Sequence, residues 1–176
     1  MPAVHLGALG NSEIIEIETD DVPSQNTPID FIAYNRDGTV LLLAEAKSRR
    51  GTSDEWAAKL RRNMLAHGVL PKSQYFLIAT PERMYGWRQG NLPPFDAPPE
   101  FTIDARKALG PYFSKLGQNP AQIGPAAFEL LVLTWLTDIS RSSGDQPESD
   151  PSLRSLSESG LLASLQHADI QMNPAR

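Results

Sequence analysis

Residues 39–47, TVLLLAEAK, constrain the fold more than any other stretch of the chain. In an extended conformation successive side chains alternate between two faces, so Val40, Leu42, Ala44 and Ala46 point one way and Leu41, Leu43, Glu45 and Lys47 the other. Both sets are apolar until the last residues. A strand of that kind belongs in the middle of a sheet covered on both sides, which sets the expectation of an α/β domain with a central mixed β-sheet flanked by helices.

The neighbouring segments agree with this. IDFIAY (29–34) reads as a partner strand across the turn NRDGT, and EIIEIE (13–18), YFLIAT (75–80) and RMYGWR (83–88) read as further strands. Between Ser53 and His67 the apolar residues Trp56, Leu60 and Met64 recur every four positions, predicting a helix with Thr52 and Glu55 as its capping box. Pro125 opens a second, strongly apolar helix, AAFELLVLTWLTDIS. Residues 1–140 are therefore expected to form one domain. A Ser-, Asp- and Pro-rich linker at 141–151 follows, and 152–176 is expected to be a helical segment that packs on or extends the domain.

Composition removes several function classes. There is no cysteine, and His5, His67 and His167 stand far apart, which argues against zinc fingers, thiol catalysis and histidine-rich metal sites. No phosphate loop, Gly-x-Ser-x-Gly elbow, dinucleotide fingerprint or His-Glu-x-x-His motif is present. No membrane span or secretory signal is recognisable, so a cytoplasmic protein with no membrane partner is expected.

The chemistry concentrates around the proposed hairpin. Asp37-Gly38 is a favoured two-residue turn, and with it paired residues sum to 75, placing Ile32 opposite Leu43 and Asp30 opposite Glu45. Directly opposed side chains have Cβ atoms about 4.5–5.5 Å apart, close enough to share an ion. Lys47 projects from the same face, whereas Ala46 points into the opposite layer. Facing carboxylates on a covered sheet need a positive partner: a divalent cation, the Lys47 ammonium, or both. Magnesium, with manganese as substitute, suits the oxygen ligands on offer from Asp30, Glu45 and the Ala46 carbonyl.

Pro28-Ile29-Asp30, then Glu45-Ala46-Lys47, on a strand–turn–strand followed by a helix and another strand, resembles the PD-(D/E)XK nuclease superfamily and its restriction-endonuclease-like fold. The resemblance covers roughly residues 11–88. It implies that Asp30 and Glu45 bind magnesium and that Lys47 assists phosphodiester hydrolysis. The expected activity is that of a metal-dependent endonuclease or exonuclease acting on nucleic acid, with DNA the expected substrate. The alternative is an inactive nuclease-fold subunit, an interaction or nucleic-acid-binding module in a larger complex. Members of the family usually begin with a helix carrying another acidic residue. Here no such helix precedes Glu13, leaving Glu13, Glu16, Glu18 or a helix of the C-terminal half to fill the place.

Charge segregation supplies a candidate binding surface. Residues 1–46 carry a net charge of −7, residues 47–88 a net +6 and residues 89–176 a net −4. Arg49, Arg50, Lys59, Arg61 and Arg62 lie in the basic block and are the expected contacts to nucleic-acid phosphates. The same cations on a helix could equally form an ordinary solvated face. A homodimer, or membership of a larger complex, is compatible with this arrangement.

Overall fold

The structure, a computed structural model, describes residues 29–67, 70–89, 94–142 and 151–174. Strand β1 (Phe31–Tyr34) and strand β2 (Val40–Ala46) form the central hairpin. Helix α1 (Asp54–His67) follows, then strands β3 (Tyr75–Ala79), β4 (Arg83–Arg88) and β5 (Phe101–Asp104). Two short helices, α2 (Ala105–Ala108) and α3 (Gly110–Lys115), lead to the long α4 (Pro125–Arg141). The chain ends in α5 (Pro151–Glu158), α6 (Leu161–Leu165) and strand β6 (Asp169–Met172). The strand expected at 13–18 lies outside the described residues.

The six strands form one mixed sheet in the order β5-β4-β3-β2-β1-β6. Only β2 and β3 run parallel; every other neighbouring pair is antiparallel. Helix α1 makes the β2–β3 crossover and covers one face, where Ala57, Leu60 and Met64 pack against Ile32, Leu43, Phe76, Ile78, Tyr85 and Trp87. The other face is covered by α4, through Phe128, Leu131, Val132, Trp135 and Leu136, together with Leu156, Leu161 and Leu165 of the C-terminal segment. The sheet is thus sandwiched, as the two-faced β2 requires. No described helix is long and apolar enough to cross a membrane.

Three local expectations are corrected. The hairpin does not turn on two positive-φ residues, because only Gly38, at φ +88°, is left-handed there. Its N–H donates to the Asn35 carbonyl and Asn35 N–H to the Thr39 carbonyl, which makes a three-residue loop closed by a left-handed glycine. Asp37 Oδ1 accepts from the Thr39 N–H and hydroxyl and stiffens this loop. Secondly, β2 is bulged: Tyr34 pairs with Val40 and Ala33 with Leu42, leaving Leu41 as the extra residue. Leu41 therefore joins Leu42 in the α4 layer, and Val40 packs in the α1 layer, the reverse of simple alternation. Thirdly, the cap of α1 is Ser53, whose Oγ accepts from Trp56 N–H; Thr52 instead hydrogen-bonds the Tyr85 hydroxyl at 2.7 Å.

The C-terminal segment belongs to the sheet rather than hanging from it. It was expected to be helical throughout, yet its last element is β6, which pairs with the outer side of β1. Leu156, Leu161 and Leu165 are fully buried, each contributing about 2 kcal/mol on removal from water. Tyr75 Oη and Arg88 Nε both donate to the Ser159 carbonyl, at 3.0 Å each, satisfying an acceptor at the end of α5. Gly160 then turns the chain at φ +85°, and a Cβ there would stand 2.9 Å from Tyr75 Oη. Gly160→Ala is expected to cost about 2 kcal/mol, because a left-handed alanine is strained and Tyr75 must also leave its acceptor. Thermal or urea denaturation measures this; an unchanged midpoint would mean that the segment is not anchored at this joint.

Candidate functional site

The loop and the bulge shift the pairing by one residue in opposite senses, so beyond Leu41 the register returns to the expected sum of 75. Phe31 pairs with Ala44 and Ile32 with Leu43, which brings Asp30 and Glu45 together where β1 begins and β2 ends. Asp30 Oδ2 accepts from Ala46 N–H at 2.9 Å, fixing its carboxylate against the end of β2. Ala46 itself is buried in the α4 layer, as its small size permits. Lys47 is half-buried, and its N–H donates to the Ala79 carbonyl at the end of β3.

Asp30 is 5% exposed and Glu45 1%. Glu45 Oε2 is buried with no hydrogen-bond partner among the described residues. Burial is the largest cause holding the Glu45 carboxyl well above the ordinary range, followed by a hydrogen bond to and repulsion from Asp30; Lys47 opposes the shift and Glu129 on α4 adds to it. Glu129 is the residue that sequence reasoning missed. It lies about 84 residues beyond Glu45, and only the packing of α4 across the sheet brings its charge within range. Among the described residues, no group of three or more histidine or acidic side chains is arranged to hold a metal ion.

The cations of the basic block fall into three environments. Arg49 and Arg50 are exposed on the loop leaving β2, with the Arg49 guanidinium 5.9 Å from the centre of the Trp56 ring. Lys59 and Arg62 line a shallow groove of about 260 Å³, shared with Asp54, Glu55 and Asp96, so their charge is locally balanced. Arg61 is not on the surface at all. It is 1% exposed, stacked 5.2 Å from the centre of the Trp87 ring, and its guanidinium donates to the carbonyls of Pro94 and Phe95 and to Gln89 Oε1. Buried in this way it is not presented to phosphates, and it ties Pro94 and Phe95 to α1 and the end of β4. Tyr85 and Trp87 are fully buried, so neither offers a face on which a base could stack.

Compared with known proteins, the chain matches no family model, no curated protein and no solved structure.

Two expectations follow from these environments. A carboxyl whose folded value is raised binds its proton more tightly in the native state than in the unfolded state. The contribution of Glu45 to stability without metal is therefore fully present at acid pH and falls as pH rises from the ordinary glutamate range through the raised folded value. Glu45→Gln, which needs no proton, is expected to flatten this decline and raise the neutral-pH melting temperature in EDTA; a parallel decline in the variant would show that another group causes it. Arg61→Lys is expected to cost about 2–3 kcal/mol, because an ammonium cannot span three acceptors while stacked on Trp87. Urea denaturation reads that loss, and nucleic-acid affinity of the folded fraction should not change.

Proposed function

We propose that the protein is a magnesium-dependent nuclease of the restriction-endonuclease-like fold, hydrolysing phosphodiester bonds of nucleic acid, with DNA as substrate. The observation that carries this reading is the buried, unpartnered Glu45 Oε2 beside a second carboxylate at the end of a covered sheet. A buried carboxylate oxygen without a donor is costly, and a divalent ion removes that cost. Asp30 and Glu45 would hold the ion, which when bound supplies Lewis-acid polarisation of a phosphoryl oxygen and a more acidic water. Lys47, on the same face and electrostatically coupled to Glu45, balances charge developing on the phosphorus. Arg49 and Arg50, exposed on the loop that begins at Lys47, would hold the neighbouring phosphates.

The very low exposure of both carboxylates favours a second reading, a non-catalytic interaction or nucleic-acid-binding subunit of the same fold. One pair of experiments separates the two. Calorimetry with magnesium or manganese is expected to show binding that Asp30→Ala removes, and plasmid cleavage is expected to drop about a hundredfold or more in Asp30→Ala and Lys47→Ala with the fold intact. A stable protein that binds neither ion and cuts nothing would establish the second reading. Undiminished cleavage in both variants would place the chemistry elsewhere.

A further inference from the structure

The turn between β3 and β4 places Glu82 three residues beyond Ala79, on the same rim of the sheet as Lys47. Both carboxylate oxygens of Glu82 are engaged from outside its own turn. Oε1 accepts from Gly51 N–H at 2.8 Å, and Oε2 accepts from the Arg106 guanidinium. Gly51 belongs to the basic loop that leaves the candidate site, and Arg106 to α2. The carboxyl is held below its usual range chiefly by the Gly51 N–H, then by Arg106, with Arg50 contributing at longer range. Around it lies a groove of about 290 Å³ lined by Gly51, Thr52, Arg83, Asp104 and Arg106.

The other charges facing the groove are occupied differently. Asp104 Oδ1 accepts from the N–H groups of Arg106 and Lys107, so it caps α2. Arg83 reaches Asp54 only at 4.0 Å, with both side chains about half exposed, a pair worth little in water. A backbone N–H and a guanidinium converging on two oxygens of one anion form the donor set that also takes the two non-bridging oxygens of a phosphodiester. Here an internal carboxylate fills it.

We propose that Glu82 is a resident stand-in for a phosphate: the Gly51 N–H and Arg106 form a phosphate site of the nucleic-acid path, and a backbone phosphate displaces Glu82 when nucleic acid binds. This inference rests on the reading of the rim as a nucleic-acid surface, but not on catalysis. A tie that merely fastens the basic loop to α2 has the opposite consequence, since cutting it would loosen the loop and weaken binding.

The test measures binding of a fluorescently labelled DNA duplex in EDTA over a range of salt concentrations. Glu82→Gln keeps an acceptor for the Gly51 N–H and removes the competing charge. It is expected to bind about fivefold more tightly than wild type, the gain from one cation freed for a phosphate contact. The slope of log affinity against log salt is expected to steepen by about one. Adding Arg106→Ala to Glu82→Gln should cancel the gain, and Glu158→Gln, which makes the same charge change on α5, should leave affinity unchanged. Equal or weaker binding by Glu82→Gln, an equal gain in Glu158→Gln, or no binding by any variant would overturn the proposal. Cleavage assayed in parallel with magnesium keeps the two readings apart. Tighter binding without cutting sinks hydrolysis alone, and metal-dependent cutting with unaltered affinity sinks the phosphate stand-in alone.

Discussion

Two one-residue adjustments of opposite sense decide which side chains of β1 and β2 meet. The loop 36–38 is one residue longer than a two-residue turn, and the bulge at Leu41 inserts one residue into β2. Side chains on a strand have a period of two, so either adjustment alone would move Glu45 relative to Asp30 and turn the apolar sets of β2 toward the wrong layers. Together they restore the pairing of Phe31 with Ala44 and Ile32 with Leu43, and bury two adjacent leucines, Leu41 and Leu42, in the α4 layer. The position of the carboxylate pair is thus fixed by apolar burial along the whole hairpin. The local electrostatics does not favour it when both acids are ionised, because they then repel.

That balance explains what was legible in the sequence and what was not. β2 announced a sheet covered on both sides, because no other environment suits apolar residues on both faces, and the helices around Leu60 and Leu131 carried clear periodicity. The meeting of Asp30 with Glu45 was legible from the expected register even though the turn and the alternation beyond it were each misread, since the two misreadings cancel. β5 and β6 gave little signal. FTID and DIQM are four residues each, half of them polar, and stand at the two sheet edges where burial is partial. Their strand character comes from hydrogen bonds to β4 and β1 rather than from their own composition.

Arg61 shows the limit of reading charge from sequence. It sits one residue before Arg62 in an apparently uniform basic block, yet the two point into different media. At helical spacing Arg61 follows Ala57 and precedes Met64 and Leu65 on or beside the apolar stripe, so the helix face that buries Leu60 carries it inward as well. Burial there is tolerable because carbonyls of Pro94 and Phe95, the Gln89 amide oxygen and the Trp87 ring replace water. Net charge over a segment therefore overstates the potential at its surface. The cations that face solvent beside Lys47 are the loop arginines; on the far side of the same rim Arg83 belongs to the same basic block, whereas Arg106 comes from the net-negative segment 89–176, whose charge gave no hint of it.

The C-terminal segment adds a constraint on the carboxylate pair. β6 pairs with β1 along its length, and the Asn173 N–H donates to the Asp30 carbonyl at 2.8 Å, so the backbone carrying the first acid is clamped between two strands from opposite ends of the described chain. Holding Asp30 beside Glu45 costs repulsion and desolvation, and a single hairpin, marginal by itself in water, could relax that cost by fraying at its open end. Fraying is opposed by β6, which in turn is held by the buried Leu161 and Leu165 and by the bonds of Tyr75 and Arg88 to Ser159. The backbone that carries Asp30 is consequently held by packing more than a hundred residues away in sequence, so the geometry of the site depends on the docking of the C-terminal segment.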